Sequence, residues 1–134
     1  MTPFSLKIVT PDGVKFDGQA EELIVRTVTG DMGILAGHTS CVSPLGMGQA
    51  TIIVDGKKRY AACIGGMVAV IGGRVDLVPT TFEWAEDIDA NRAEASYQRA
   101  QQVLSRKDAS STDIKLAEAR LRRALVRKGV ASTK

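Results

Sequence analysis

The feature that most constrains this chain is the uneven placement of its proline and glycine. All four prolines (Pro3, Pro11, Pro44, Pro79) precede residue 80, and twelve of the thirteen glycines precede residue 74, leaving only Gly129 behind. Tight turns use these residues, whereas helix interiors are destabilised by both. The chain therefore divides into a turn-rich part and a helix-permissive part, with the step near Thr80–Glu86. Charge follows the same division. Residues 1–83 carry 7 basic and 8 acidic side chains, net −1, and residues 84–134 carry 11 and 7, net +4. With 44% hydrophobic and 25% charged residues over 134 positions, the chain has a globular composition and room for one ordinary domain or two small ones.

The first part, 1–83, reads as short strands joined by turns. FSLKIVT (4–10) alternates apolar and polar residues and stops at Pro11-Asp12-Gly13, where proline presets φ and glycine supplies a positive φ. VKFDGQ and EELIVRTV (21–28) follow. QATIIVDGKKRYAACI (49–64) places Asp55-Gly56 between two alternating arms, the signature of a type I′ hairpin. MVAVI (67–71), Gly72-Gly73 and RVDLV (74–78) repeat it. This density of short strands predicts a small antiparallel β-sandwich or barrel.

The second part, 84–134, reads as an antiparallel two-helix hairpin, making the whole chain α+β. With Asp87 or Asp89 as N-cap, Ala90, Ala93, Tyr97, Ala100 and Leu104 recur at helical period. KDASS (107–111) interrupts the pattern, Ser111 or Thr112 can cap a second helix, and Ile114, Ala117, Leu121, Ala124 and Leu125 form its apolar stripe. Basic residues crowd its last turns and Gly129 is the expected stop. Stripes this rich in alanine bury little area, so the hairpin is expected to be marginal by itself and able to change partner or shape.

Other residue types narrow the function. One histidine, His38, and two separated cysteines, Cys41 and Cys63, supply neither a zinc ligand set nor a convincing catalytic constellation. The cysteines read as buried reduced thiols. Aromatics are 4%, few for a protein that stacks nucleic-acid bases, so no nucleic-acid partner is expected. No apolar run reaches bilayer length and the first residues lack a signal-peptide pattern, so direct membrane insertion is not expected.

The helical charges offer an anion site. A helical wheel puts Asp89, Arg92, Ser96 and Arg99 on one stripe beside the alanine face of the first helix. Arg120, Arg123 and Arg127 fall opposite the apolar seam of the second, with Arg122 on its flank. Antiparallel packing would let Arg92, Arg99 and Arg122 converge on one phosphate-like group, to which guanidinium forks are suited. The same charges also fit a solvated basic face. The outward face of Arg120, Arg123, Arg127 and Lys128 suits an acidic protein surface. No P-loop pattern is present.

TGDMGILAGHTSCVSPLGMGQ (29–49) resembles the G-D-x-G-[IV]-L-x-G-H loop, followed by L-x-x-G, of the ε subunit family of bacterial F-type ATP synthases. Ala36 stands where that family commonly has proline, and Thr39-Ser40-Cys41 is unusual after the histidine. IGGMVAVIGGRVDLV (64–78) is similar to the family's paired strands around Gly-Gly, and the resemblance covers essentially the whole chain. It implies a non-catalytic stalk subunit, peripheral on the cytoplasmic face of the cell membrane. Its sandwich would dock on the γ subunit and the c-ring. Its helices would either fold onto the sandwich or extend along γ toward the α/β catalytic ring, where they would inhibit ATP hydrolysis.

Ile88-Asp89-Ala90-Asn91-Arg92-Ala93 matches the I/L-D-x-x-R-A pattern through which some members bind ATP. The resemblance implies ATP as a regulatory ligand, with Asp89, Arg92 and Ala93 as contacts and Glu83, Arg99, Arg122 and Arg123 as further carry-overs. No metal site of the chain's own is implied. The resemblance also puts Asp31 and the His38 loop on the face toward other stalk subunits. Trp84, at the joint, is expected to pack the hairpin on the sandwich.

Overall fold

A computed structural model describes residues 1–133. It contains ten strands: β1 (Phe4–Thr10), β2 (Gly13–Ala20), β3 (Glu22–Thr27), β4 (Gly30–Ile34), β5 (Cys41–Pro44), β6 (Met47–Val54), β7 (Lys57–Ile64), β8 (Met67–Ile71), β9 (Arg74–Val78) and β10 (Thr81–Trp84). A 3-10 turn, Ala85–Asp87, leads to α1 (Ala90–Ser105) and α2 (Ser111–Ala131). The chain forms two compact units, Met1–Trp84 and Ala85–Lys134.

The first unit stacks two five-stranded sheets, ordered β2-β1-β9-β8-β5 and β10-β7-β6-β3-β4. Alternation along the strands builds the core between them. In β1, Phe4, Leu6, Ile8 and Thr10 turn inward, and Leu23 and Val25 of β3 and Val75 and Leu77 of β9 do the same. The Asp55-Gly56 turn between β6 and β7 has φ of 52° and 74°, both positive as a type I′ turn requires. One pairing departs from the antiparallel expectation: β1 and β9 run parallel, with Ser5 opposite Arg74 and Ile8 opposite Leu77. Only tight hairpins force antiparallel neighbours, and these two strands are brought together from opposite ends of the unit.

The junction of β7 and β8 is fixed by a close approach. A Cβ on Gly66, whose φ is +90°, would sit 2.0 Å from the Val78 carbonyl oxygen. The same corner is tied by Leu45 N–H donating to Gly66 O at 2.8 Å and Gly65 N–H donating to Gly46 O at 2.9 Å. Trp84 belongs to the sandwich core. Its ring meets Phe82 edge-on at 4.9 Å, the Arg59 guanidinium lies 3.6 Å over it, and its Nε1 donates to Lys15 O at 3.4 Å. These three partners lie within the sandwich unit. Cys63 is buried, which pushes its thiol up to about 12, and Cys41 is half-buried; both are unpaired.

The helices of the second unit agree with expectation at one cap and differ from it in two details. Asp89 caps α1, its Oδ1 accepting from Arg92 N–H at 3.0 Å. The cap of α2 is Ser110, one residue before the expected pair, because Ser110 and Asp113 form a reciprocal capping box. Gly129 does not stop α2: the helix continues to Ala131, burying Val130 and Ala131, and ends at Ser132.

Candidate functional site

The seam between the helices is made of methyl groups. Ala93 and Ala100 on α1, and Ala117, Ala124 and Ala131 on α2, are buried at seven-residue intervals. Ala90 and Ile114 are exposed instead, and Leu125 is 47% exposed while Ala124 beside it is 1%. Small residues let two helix backbones approach closely, which leaves the larger aliphatics at the edges. The buried direction of α2 therefore follows the alanines of the Ile114, Ala117, Leu121, Ala124 and Leu125 stripe, rotated by about 50° on the wheel from the centre of those five.

That rotation decides where the arginines lie. Arg120, Arg123 and Arg127 do not face away from the seam. They border it, and with Arg99 of α1 they line a groove of about 460 Å³ floored by Ala100, Val103 and Ala117, with Ser96 at its side. Arg99 Nη2 donates to Ser96 Oγ at 3.1 Å, and Arg123 Nε donates to the Ala119 carbonyl at 3.4 Å. No acidic side chain among the described residues lines the groove. Among the described residues, Arg99, Arg120 and Arg123 have no carboxylate within ion-pair distance. The guanidiniums of Arg99, Arg120 and Arg123 around one concavity repel one another, and the arrangement favours an anion that can accept several charge-assisted hydrogen bonds at once.

Arg92 and Arg122 are exposed and do not line this groove, so the convergence of Arg92, Arg99 and Arg122 is replaced by that of Arg99, Arg120, Arg123 and Arg127. Asp89 is engaged as the helix cap, and Ala93 is part of the buried seam. Glu83 lies on β10 opposite Ala62, within the sandwich unit.

Lys128 turns onto α1 rather than outward. Its Nζ donates to Glu94 Oε2 at 2.6 Å and lies 4.1 Å from the centre of the Tyr97 ring. The Lys128 hydrogen bond, followed by one from Gln98, holds the Glu94 carboxyl below its ordinary range. Glu94 and Tyr97 escape sequence reasoning in this role because their partner is across the hairpin, where no local spacing reveals it.

On the sandwich, Asp31 sits on β4 and accepts from Arg26 Nε at 2.8 Å. The two are directly opposite in the β3–β4 register, a cross-strand charge pair that the hairpin pattern could have revealed. The Arg26 stem also crosses Gly48, where an added Cβ would come within 2.6 Å of Arg26 Cβ. His38 is in the loop between β4 and β5, with Nδ1 2.7 Å from the Thr39 carbonyl oxygen. Among the described residues no three His, Cys, Asp or Glu side chains gather to hold a metal. No helix among them is long and apolar enough to cross a membrane.

A β-sandwich followed by a helical hairpin, with the basic groove confined to the hairpin, defines a two-part chain whose parts each have a counterpart in known proteins. Residues 3–85 match the family model "ATP synthase, Delta/Epsilon chain, beta-sandwich domain", and residues 86–131 match "ATP synthase, Delta/Epsilon chain, long alpha-helix domain". The ATP synthase epsilon chain of Shouchella clausii is 39% identical over 134 residues, covering 100% of this chain and 98% of that one. That of Bacillus subtilis is 43% identical over 115 residues, 86% of each chain. A chain in a mitochondrial ATP synthase structure from Euglena gracilis shares the fold, with a TM-score of 0.85 at 22% identity, over 100% of this chain and 83% of that one. The chain belongs to the ATP synthase delta/epsilon chain family, whose members are non-catalytic stalk subunits.

Proposed function

We propose that this chain couples γ to the c-ring in the central stalk of a proton-translocating ATP synthase, and that its hairpin regulates ATP hydrolysis in response to ATP. The sandwich supplies the rotor-docking body. In this reading the complex is bound at the cytoplasmic face of the cell membrane and the chain itself stays peripheral. The observation that carries the regulatory reading is the pairing of a thin seam with an acid-free arginine groove beside it. Five alanine methyls contribute roughly 4 kcal/mol at about 0.8 kcal/mol per methyl-sized group, little more than one or two fully buried leucines. A hairpin joined so lightly is sensitive to whatever binds one of its conformations better than another. ATP bound across α1 and α2 holds the folded hairpin and disfavours an extended one, in which Arg120, Arg123 and Arg127 are released toward an acidic surface of the catalytic ring.

Calorimetric titration of the full chain tests the ATP part. Arg123→Ala removes a groove guanidinium and is expected to weaken ATP binding by about tenfold or more. Arg122→Ala removes the same charge one residue away, outside the groove, and is expected to leave affinity within about twofold. Equal losses in the two variants would show that ATP responds to net charge rather than to this groove.

A further inference from the structure

We propose that Lys128 is an acylation site governed by the hairpin: the closed hairpin shields its amine, and an acyl group added while the hairpin is open keeps it from closing again. The donor is of the acyl phosphate class. It rests on the hairpin being able to open, as the regulatory reading requires, and not on ATP or on the arginine groove.

What carries it is the way Lys128 is held. On α2 it lies between the buried Ala124 and Ala131, four residues after the one and three before the other, and so stands at the edge of the seam. Its Nζ donates to Glu94 Oε2 at 2.6 Å and lies 4.1 Å from the centre of the Tyr97 ring, both on α1. Gln98 Nε2 donates to the other oxygen of Glu94 at 2.9 Å and steadies the carboxylate. The Lys128 side chain is still 34% exposed, open to a small donor. Among the described residues no other lysine has a carboxylate within ion-pair distance. Lys115, exposed on α2, provides the contrast.

Both contacts depend on positive charge, which the carboxylate attracts directly and the ring face through its quadrupole. Acyl transfer needs a neutral amine with a free lone pair. The nitrogen must therefore leave Glu94 and Tyr97 and give a proton to water before it reacts. Its lone pair then attacks the carbonyl carbon of the acyl phosphate. The C–N bond forms, the C–O bond to phosphate breaks, phosphate leaves with that electron pair, and one amine proton goes to solvent. The product amide is uncharged, so the ion pair and the ring contact are both lost, and Glu94 is left without its cation at the seam. Residues 84–134 carry net +4, which draws an anionic donor to Lys115 as well as to Lys128. A difference between the two thus reports how each is held.

The test treats the full chain with acetyl phosphate and follows acetylation of each lysine by peptide mass spectrometry. Lys128 is expected to react about fivefold more slowly than Lys115, and Glu94→Gln to raise the Lys128 rate about threefold with Lys115 unchanged. Acetyllysine installed at position 128 during synthesis is expected to lower the thermal midpoint of the helical circular dichroism signal by about 3 °C or more, as Lys128→Gln does. Lys128→Arg, and acetyllysine at position 115, are expected to stay within about 1 °C of the wild type. Equal rates at Lys128 and Lys115, a Lys128 rate that Glu94→Gln leaves unchanged, or an unmoved midpoint with acetyllysine at 128 would each overturn the proposal. In the assembled synthase at high ATP, acetylation at 128 is expected to lower hydrolysis about twofold or more, by shifting the hairpin away from its closed form. An unchanged hydrolysis rate there, with the isolated hairpin destabilised as expected, would tell against the regulatory reading and leave the acylation site standing.

Discussion

At the scale of single residues, neighbours in sequence have different positions and different expected roles. Arg122 and Arg123 are adjacent arginines, yet only Arg123 borders the groove. Lys128, which looks like one more exposed cation, joins the helices through Glu94 and Tyr97. The Glu94 carboxyl is held below its ordinary range by the Lys128 hydrogen bond first and by Gln98 second. A lowered folded-state value means a contribution that is complete above the ordinary glutamate value of about 4.5 and is lost as pH falls through the lowered one. Glu94→Gln is therefore expected to lower the thermal midpoint of the helical signal at neutral pH, with the difference from wild type closing as pH falls below the ordinary glutamate range. A difference that persists undiminished in acid would show that the carboxylate charge is not what joins the helices.

At the scale of elements, the strands and their turns were legible in the sequence because their signals are local. Asp55-Gly56 and the alternation in 49–64 specify the β6–β7 hairpin without reference to any other strand. The parallel β1–β9 pair was not legible, since nothing local joins residue 5 to residue 74. The α2 cap was readable as a Ser-x-x-Asp box at Ser110, one residue from where the apolar pattern put it. The groove was half legible. Its arginines were identified, but the stripe was averaged over leucine, isoleucine and alanine alike, and burial follows the alanines that let the helices close. The Gly65-Gly66 corner permits a sharper prediction. Gly66→Ala places a methyl against the Val78 carbonyl and forces a positive φ, so it is expected to destabilise the sandwich by about 3 kcal/mol or more in denaturant unfolding. A loss under about 1 kcal/mol would mean that β8 and β9 shift easily there.

At the scale of the whole molecule, the two units differ in how they are held. The sandwich has a continuous core of buried Leu, Ile, Val and Phe side chains drawn from both sheets, whereas the hairpin has an alanine seam crossed by the Lys128–Glu94 ion pair. This contrast is the basis for assigning docking to the first and regulation to the second. The central claim is that division of labour, and the most direct measurement is the ATP hydrolysis rate of the assembled synthase carrying this chain with or without residues 85–134. The account predicts that the shortened chain still assembles with γ in stoichiometric yield and that hydrolysis rises at low ATP, where the full-length hairpin is free to restrain it. Failure of the shortened chain to assemble, or an unchanged hydrolysis rate once it has assembled, would contradict the account.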